Sequence, residues 1–267
     1  MELISLSPFD LALASGLVLL LAWLSWRLHL GIERRILIAA ARSTVQLALL
    51  GLVLKALFAT TEPLLIGLLA LMMLSVAGWE VMARQRRRFR GAWGYGIGAL
   101  SMFLSSFSIT LLALTTIIGV TPWYQPQYLI PLLGMLLGNT MNGIAVALDG
   151  LSRQAWEGRN RIEARLLLGA TWNEAIAEIR RDALRAGLIP ITNAMATAGI
   201  VSLPGMMTGQ VLAGSPPMEA AKYQLLIMFL IAGGTGLGSV AAVWIGARRL
   251  FDGRHRLRLE RLRAVRG

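Results

Sequence analysis

Seven amide and hydroxyl side chains, Gln46, Asn139, Asn142, Thr192, Asn193, Thr208 and Gln210, interrupt otherwise apolar sequence, with Met135, Met141, Met206 and Met207 close to them in the chain. Amide oxygen and thioether sulfur are weak, uncharged donors. Lining a path, they would pass a divalent ion or its complex and let it go, whereas thiolate and imidazole hold such ions far more tightly. The same amides serve equally as interhelical hydrogen-bond partners, and the Met residues as packing. Stronger chemistry is missing. There is no Cys, which excludes disulfides, thiolate metal sites and a Cys nucleophile. Asp10, Glu80 and Asp149 fall at the ends of apolar runs, and His29 and His255 lie beside Arg-rich stretches. No carboxylate or His is therefore placed for ion coupling at membrane depth, or as a general base behind an intramembrane Ser. A phosphate-binding P-loop needs Gly-Lys followed by Ser or Thr. The only lysines, Lys55 and Lys222, follow Leu54 and Ala221. The chain is thus expected to be no enzyme and to hold no cofactor; if it pumps, ATP and Mg belong to a separate polypeptide.

The elements that carry these residues are set by the solvent. The 267 residues are 56% hydrophobic and 15% charged, with a mean hydropathy of +0.63. That is too apolar for a water-soluble domain. Runs able to cross a hydrocarbon core of about 30 Å, which takes roughly 20 helical residues, fall at 10–30, 36–59, 63–83, 95–119, 127–149, 188–213 and 223–247. The expectation is an all-α polytopic membrane protein, one integral domain over 1–267, with seven transmembrane helices. All 24 Arg residues lie in 27–42, 84–90, 153–185 and 248–266, and both lysines in the alternate loops. The positive-inside rule places the N-terminus outside and the C-terminus in the cytoplasm, with a basic cytoplasmic tail at 248–267. The net charge of +12 is then a topology signal, and a nucleic-acid surface, which needs basic residues gathered on one soluble face, is not indicated. Glu2 and Asp10 precede the first run and basic residues follow it, the reverse of a signal peptide. The uncharged stretch PWYQPQY, ending at Tyr128, reads as a short external loop with aromatic rings at headgroup level.

Glycine spacing bears on assembly and movement. Gly134 with Gly138, Gly205 with Gly209, and Gly234 with Gly238 are GxxxG pairs, which let helices approach closely in lipid. Pro204, between Leu203 and Gly205, removes a backbone hydrogen bond and predicts a kink in the sixth span.

The largest loop, 150–187, lies between the fifth and sixth spans and is far more charged than its flanks. Gly169 predicts a helix stop. In TWNE, Thr171 is a candidate N-cap with Glu174 as its capping-box partner, which starts a second helix at Trp172. On that helix Trp172, Ile176, Ile179 and Ala183 recur at helical spacing. Such a helix either lies on lipid headgroups or docks its apolar face into a groove on a cytoplasmic partner.

Glu163-Ala164, Gly169 and Ile179 resemble the cytoplasmic coupling loop of ABC importer permeases, although Arg165 replaces an Ala and the closing Leu-Pro is missing. The segments YLIPLLGMLLGNTMNG (128–143), LLLGAT (166–171), IVSLPGMMTGQVLAG (200–214) and AAKYQLLIMFL (220–230) resemble the FetB family more specifically, and RSTVQLALLGLVLKALF (42–58) extends the likeness. That family is the membrane subunit of a bacterial ABC transporter assigned to iron export. The resemblance implies a permease in the bacterial inner membrane, two copies of it with two copies of a separate cytoplasmic ATP-binding subunit, and plant relatives linked to aluminium tolerance. It implies contact with the ATPase through Glu163, Gly169, Ala170, Thr171, Trp172, Ile176 and Ile179. The candidate path is Gln46, Met135, Asn139, Asn142, Asn193, Met206, Met207 and Gln210, without a definite metal site. Another cargo, such as a chelate, another metal or a nucleotide-sugar-like solute, an importer, and a stand-alone secondary transporter are the alternatives.

Overall fold

The computed structural model describes residues 7–59 and 62–264. The chain divides into two compact units, one built on the first two helices with residues 212–215, the other on the remainder. In the first unit, α1 (Pro8–Arg27) opens with a capping box: the Ser7 hydroxyl accepts from the Asp10 N–H, and the Asp10 carboxylate accepts from the Ser7 N–H at 2.8 Å. Pro8 suits the first helical position, where its missing N–H costs nothing. A turn with His29 and Gly31 at positive φ follows, and then α2 (Glu33–Ala59). Most of their large apolar side chains are exposed. Such a surface suits lipid or a protein neighbour and not water.

The second unit begins with α3 (Pro63–Ala83), the short strand β1 (Arg87–Phe89) and α4 (Ala92–Met102). The α4 helix continues through a π turn (Phe103–Phe107), α5 (Ser108–Leu112) and a second π turn (Ala113–Ile117). Next come α6 (Pro126–Glu157), α7 (Arg159–Leu167), the single turn α8 (Trp172–Ala175) and α9 (Ala177–Thr197). After α10 (Gly205–Leu212) and α11 (Pro217–Arg249), a 3-10 turn (Leu259–Arg261) leads into β2 (Leu262–Ala264).

The centre of this unit is α6, packed against α3, α9 and α11. Lipid tails are as apolar as Leu, so contact between these helices depends on close van der Waals fit. A Cβ on Gly187 would lie 2.7 Å from the Gly143 carbonyl oxygen and 2.9 Å from the Ala147 Cβ, so α6 and α9 cross backbone to backbone there. A Cβ on Gly238 would lie 2.7 Å from the Thr140 side chain. Of the predicted GxxxG pairs, Gly234 and Gly238 do pack tightly, and Gly134 meets only the flexible end of Met73. Gly138, Gly205 and Gly209 face open space instead. Spacing marks where a close approach is possible, not whether a neighbour uses it.

Among the described residues six helices are long and apolar enough to cross a membrane, and they match the expected spans except the sixth. The predicted span 188–213 is two helices separated by 198–204, where Gly199 has φ +81° and the N–H groups of Val201 and Ser202 both turn back to the Thr197 carbonyl. The interruption therefore precedes Pro204. Pro204 does not kink a continuous helix; its carbonyl accepts from the Thr208 N–H and starts α10. Nor is the tail a plain basic extension: β2 pairs antiparallel with β1, Phe89 opposite Leu262, and adds a small sheet to the expected all-α fold. Strands this short carry no readable alternation.

Candidate functional site

The charged loop folds as predicted at its turn. Gly169 has φ +91°, a conformation that favours glycine. The N–H of Gly169 bonds the Leu166 carbonyl and that of Ala170 the Arg165 carbonyl, a Schellman closure of α7. The Thr171–Glu174 capping box is formed. Donation from the Thr171 N–H and hydroxyl holds the Glu174 carboxyl below the usual carboxylate range. The helix that starts at Trp172 lasts one turn, stops at Ile176 and restarts as α9.

The apolar face of this hairpin is covered by the chain itself. Ile176, Ile179 and Ala183 are buried, and Trp172 stacks edge-on against Trp244 of α11 with ring centres 5.6 Å apart. The backbone N–H of Trp172 donates to His255 Nδ1 at 3.1 Å, and the Arg248 guanidinium lies over the Trp172 ring. Burial, with Arg181 adjacent, lowers the pKa of Arg180, which sits over both Trp172 and Trp244. Glu178 accepts ion pairs from Arg161 and Arg165 of α7 and ties the two arms together. Trp172, Ile176 and Ile179 are thus anchors of the hairpin and not its outward surface. What projects is the tip: Leu167 and Leu168 are 89% and 88% exposed, flanked by exposed Glu163, Gly169 and Thr171, with Ala170 half-buried. The two Leu side chains are the most exposed apolar part of the hairpin among the described residues.

Behind the tip, α9 runs without interruption from the hairpin into apolar sequence. Its uncharged part, 186–197, is about 18 Å long at 1.5 Å per residue, a little over half of the roughly 30 Å that a hydrocarbon core measures. The break at 198–204 follows directly, with Ile200 and Val201 exposed. Within a membrane, interrupted backbone is tolerated where it lines a cavity or meets protein. Candidate path residues gather around this level. Asn193 is exposed on the last turns of α9, while Met206, Met207 and Gln210 lie half-buried on α10, the Gln210 Oε1 buried without a partner among the described residues. On α6, the contacts of Gly143 with Gly187 and of Gly150 with Ala183 set an antiparallel register. That register puts Met135 and Asn139 level with the end of α9. Asn139 is exposed, and its Nδ2 donates to the Met135 carbonyl at 2.8 Å. Gln46 is exposed on α2, in the first unit.

Asn142 is engaged differently: its Oδ1 accepts from Arg84 Nη1, and Arg84 also approaches Glu80 at 3.8 Å. Nearby, the Arg86 N–H donates to Asp149 Oδ1 at 2.7 Å. Arg84 reads in sequence only as a topology charge; its contact across 58 positions has no local signal. Among the described residues no three His, Asp or Glu side chains converge to hold a metal ion. The available donors are amides and thioethers around a broken helix, with one guanidinium at the Asn142 end.

Comparison with known proteins adds the following. Residues 8–251 match the family described as Uncharacterised protein family (UPF0014). A UPF0014 membrane protein of Synechocystis sp. is 41% identical over 94% of this chain and 96% of its own length. A protein of Escherichia coli named probable iron export permease protein FetB is 32% identical over 95% of this chain and 96% of its own. The Arabidopsis thaliana protein named ALUMINUM SENSITIVE 3 is 33% identical over 88% of this chain and 84% of its own. No solved structure matches.

Proposed function

The chain belongs to the UPF0014 family of membrane proteins, and on that premise we propose that it is the permease subunit of an ABC exporter whose ATP is hydrolysed by a separate subunit. Two copies of the chain, each contributing a path through a bacterial inner membrane, would sit over two ATPase subunits that hold the ATP and Mg. The N-terminus lies outside and the Arg-rich hairpin and tail inside, with the broken α9–α10 pair as the sixth crossing. One observation carries the reading: a single helix, α9, joins a hairpin with a bare Leu167–Leu168 tip to a backbone break at mid-membrane depth. A push on that tip would pass through α8 into α9, which carries Pro190 in its interior, and so reach the place where the path must open.

The cargo is iron, on the printed name of the Escherichia coli relative, carried in ligand-bound form. Neutral amides and thioethers bind a bare dication weakly, and the Arg84 guanidinium beside Asn142 repels one. A chelate with anionic or carbonyl oxygens suits that pairing. The test is co-reconstitution with the partner ATPase in liposomes. Chelated iron should raise ATP turnover and move from the ATP side to the other. Iron accumulation on the ATP side, or turnover indifferent to every iron species, rejects the proposal.

A further inference from the structure

Where α4 begins and α11 ends, a cleft of about 500 Å³ opens between Trp93, Trp244, Ile245, Arg248, Arg249 and Arg261. A second hollow of about 280 Å³ shares Trp93 and Ile245 with it and continues along α4 past Gly96 and Leu100. Ala92, Gly96 and Leu100 recur every four residues, so this side of α4 forms an apolar groove about 12 Å long. The groove is headed by cations. The Arg249 guanidinium lies 4.7 Å over the Trp93 ring, and Arg248 reaches back over Trp172. Arg261 Nη1 donates to the carbonyls of Arg249 and Phe251, and its Nε and Nη2 make no bond among the described residues. None of these three guanidinium groups pairs with a carboxylate among the described residues.

Asp252 also lines the cleft, but its carboxylate is already committed. It accepts from the backbone N–H groups of Arg254 and Arg256 and from the side chains of Arg256 and Arg258. Those bonds, the Arg256 N–H foremost, hold its pKa well below the usual carboxylate range. It cannot neutralise the cleft as well. A cationic mouth with two half-exposed Trp rings, opening onto an apolar groove at the end of two membrane helices, is complementary to an anionic amphiphile. Planar guanidinium forks match phosphate oxygens two at a time, and Trp rings settle at headgroup level.

We propose that this cleft binds one phospholipid of the adjacent leaflet with an anionic headgroup, its phosphate at Arg248, Arg249 and Arg261 and an acyl chain along Gly96 and Leu100. Arg248 and Trp244 also hold Trp172 of the hairpin, so the lipid would brace the same contacts that position the tip. The inference needs only that the chain lies in a membrane and stands apart from any reading of cargo or ATPase.

The test uses the purified full chain in detergent micelles, with bound lipid counted by native mass spectrometry during titration of phosphatidylglycerol, phosphatidylcholine or inorganic phosphate. Phosphatidylglycerol should fill one saturable site, phosphatidylcholine should bind more weakly, and phosphate should not displace the lipid. Arg248→Gln and Arg249→Gln should each weaken phosphatidylglycerol binding about fivefold. Gly96→Phe should weaken it too, with every charge kept; Gly96 lines the groove and a Cβ there meets nothing within 4 Å, and an unchanged melting temperature checks that the ring leaves the fold intact. Arg254→Gln, outside the cleft, should bind as wild type. Equal binding of the two lipids, wild-type binding by Gly96→Phe and Arg249→Gln, or displacement by inorganic phosphate overturns the proposal, the last by reducing the site to a simple anion pocket.

Discussion

Replacing Gly187 by Ala adds one methyl group at the point where α6 and α9 touch. That methyl carbon would stand 2.7 Å from the Gly143 carbonyl oxygen and 2.9 Å from the Ala147 Cβ. Ordinary contact begins near 3.4 Å, so the helices must part by about 0.7 Å or more, and the nearest atom is backbone, which cannot rotate away. Overpacking costs typically 1–3 kcal/mol, and a clash with backbone belongs in the upper part of that range, about 2–3 kcal/mol. The intrinsic helix preference for Ala over Gly returns at most about 1 kcal/mol. The net expectation is a loss of about 1–2 kcal/mol, read as a fall of several degrees in the apparent melting temperature of the purified protein. Gly205→Ala is the control. Its methyl group meets nothing within 4 Å, and the helix preference alone should leave the melting temperature unchanged or slightly higher. The α6–α9 crossing also sets the position of the hairpin, so Gly187→Ala should lower ATP turnover in the reconstituted complex. A Gly187→Ala protein as stable as wild type would refute the backbone-to-backbone crossing.

The Thr140 hydroxyl is buried without a partner among the described residues, so Thr140→Val should raise the melting temperature by the equivalent of up to about 1 kcal/mol; a fall would mean that the hydroxyl is satisfied in the assembled protein. Thr171→Ala removes the hairpin cap and should cost about 1 kcal/mol, seen as faster proteolysis at 167–175. Because Glu174 has its pKa lowered by that cap, its contribution is present at neutral pH and lost as pH falls through the ordinary carboxylate range toward the folded value. The same proteolysis should therefore accelerate in wild type below about pH 4.5 and lose that acceleration in Thr171→Ala. Cysteines placed at Gln125 and Pro217 should react with an impermeant external reagent, and ones at Arg87, Asn160 and Arg254 should not; labelling at Asn160 from outside would reverse the proposed topology.

The length of apolar runs locates the helices that span from end to end, because solvation by lipid demands that length. The same criterion passes over the break at 198–204. Ile200, Val201 and Leu203 are as apolar as any span, and Gly199 with Pro204 marks a weak point without saying that the backbone turns there. Local chemistry at the hairpin is equally legible: Gly169 and the Thr171/Glu174 pair act on neighbours within four residues. What covers the Trp172–Ile176–Ile179 face is not legible. Helical period reveals an apolar stripe, but whether the chain's own C-terminal part or a partner lies against it depends on Trp244 and Phe251, 65–79 positions away. The close glycines show a similar limit. Gly143 and Gly187 belong to none of the recognised pairs, yet they make the tightest approach to backbone between α6 and α9. The Arg84–Asn142 contact, the His255 acceptor and the β1–β2 pairing are all long-range and leave no trace in the local sequence.

The central claim, that the hairpin tip receives force from an ATPase, is most directly tested at Leu167 and Leu168. Both side chains are almost fully exposed, so Leu167→Ser with Leu168→Ser should leave the fold and melting temperature intact. If these two leucines fill a groove on the partner, truncating them should cost 2 kcal/mol or more, roughly thirtyfold in affinity. The measurement is retention of the ATPase on co-purification, with Trp172→Ala alongside as a variant that loosens the hairpin from within. The double Ser variant should lose the ATPase while remaining inserted and as stable as wild type. Full retention with normal substrate-stimulated ATP turnover would contradict the claim and leave the hairpin a basic segment resting on the membrane surface.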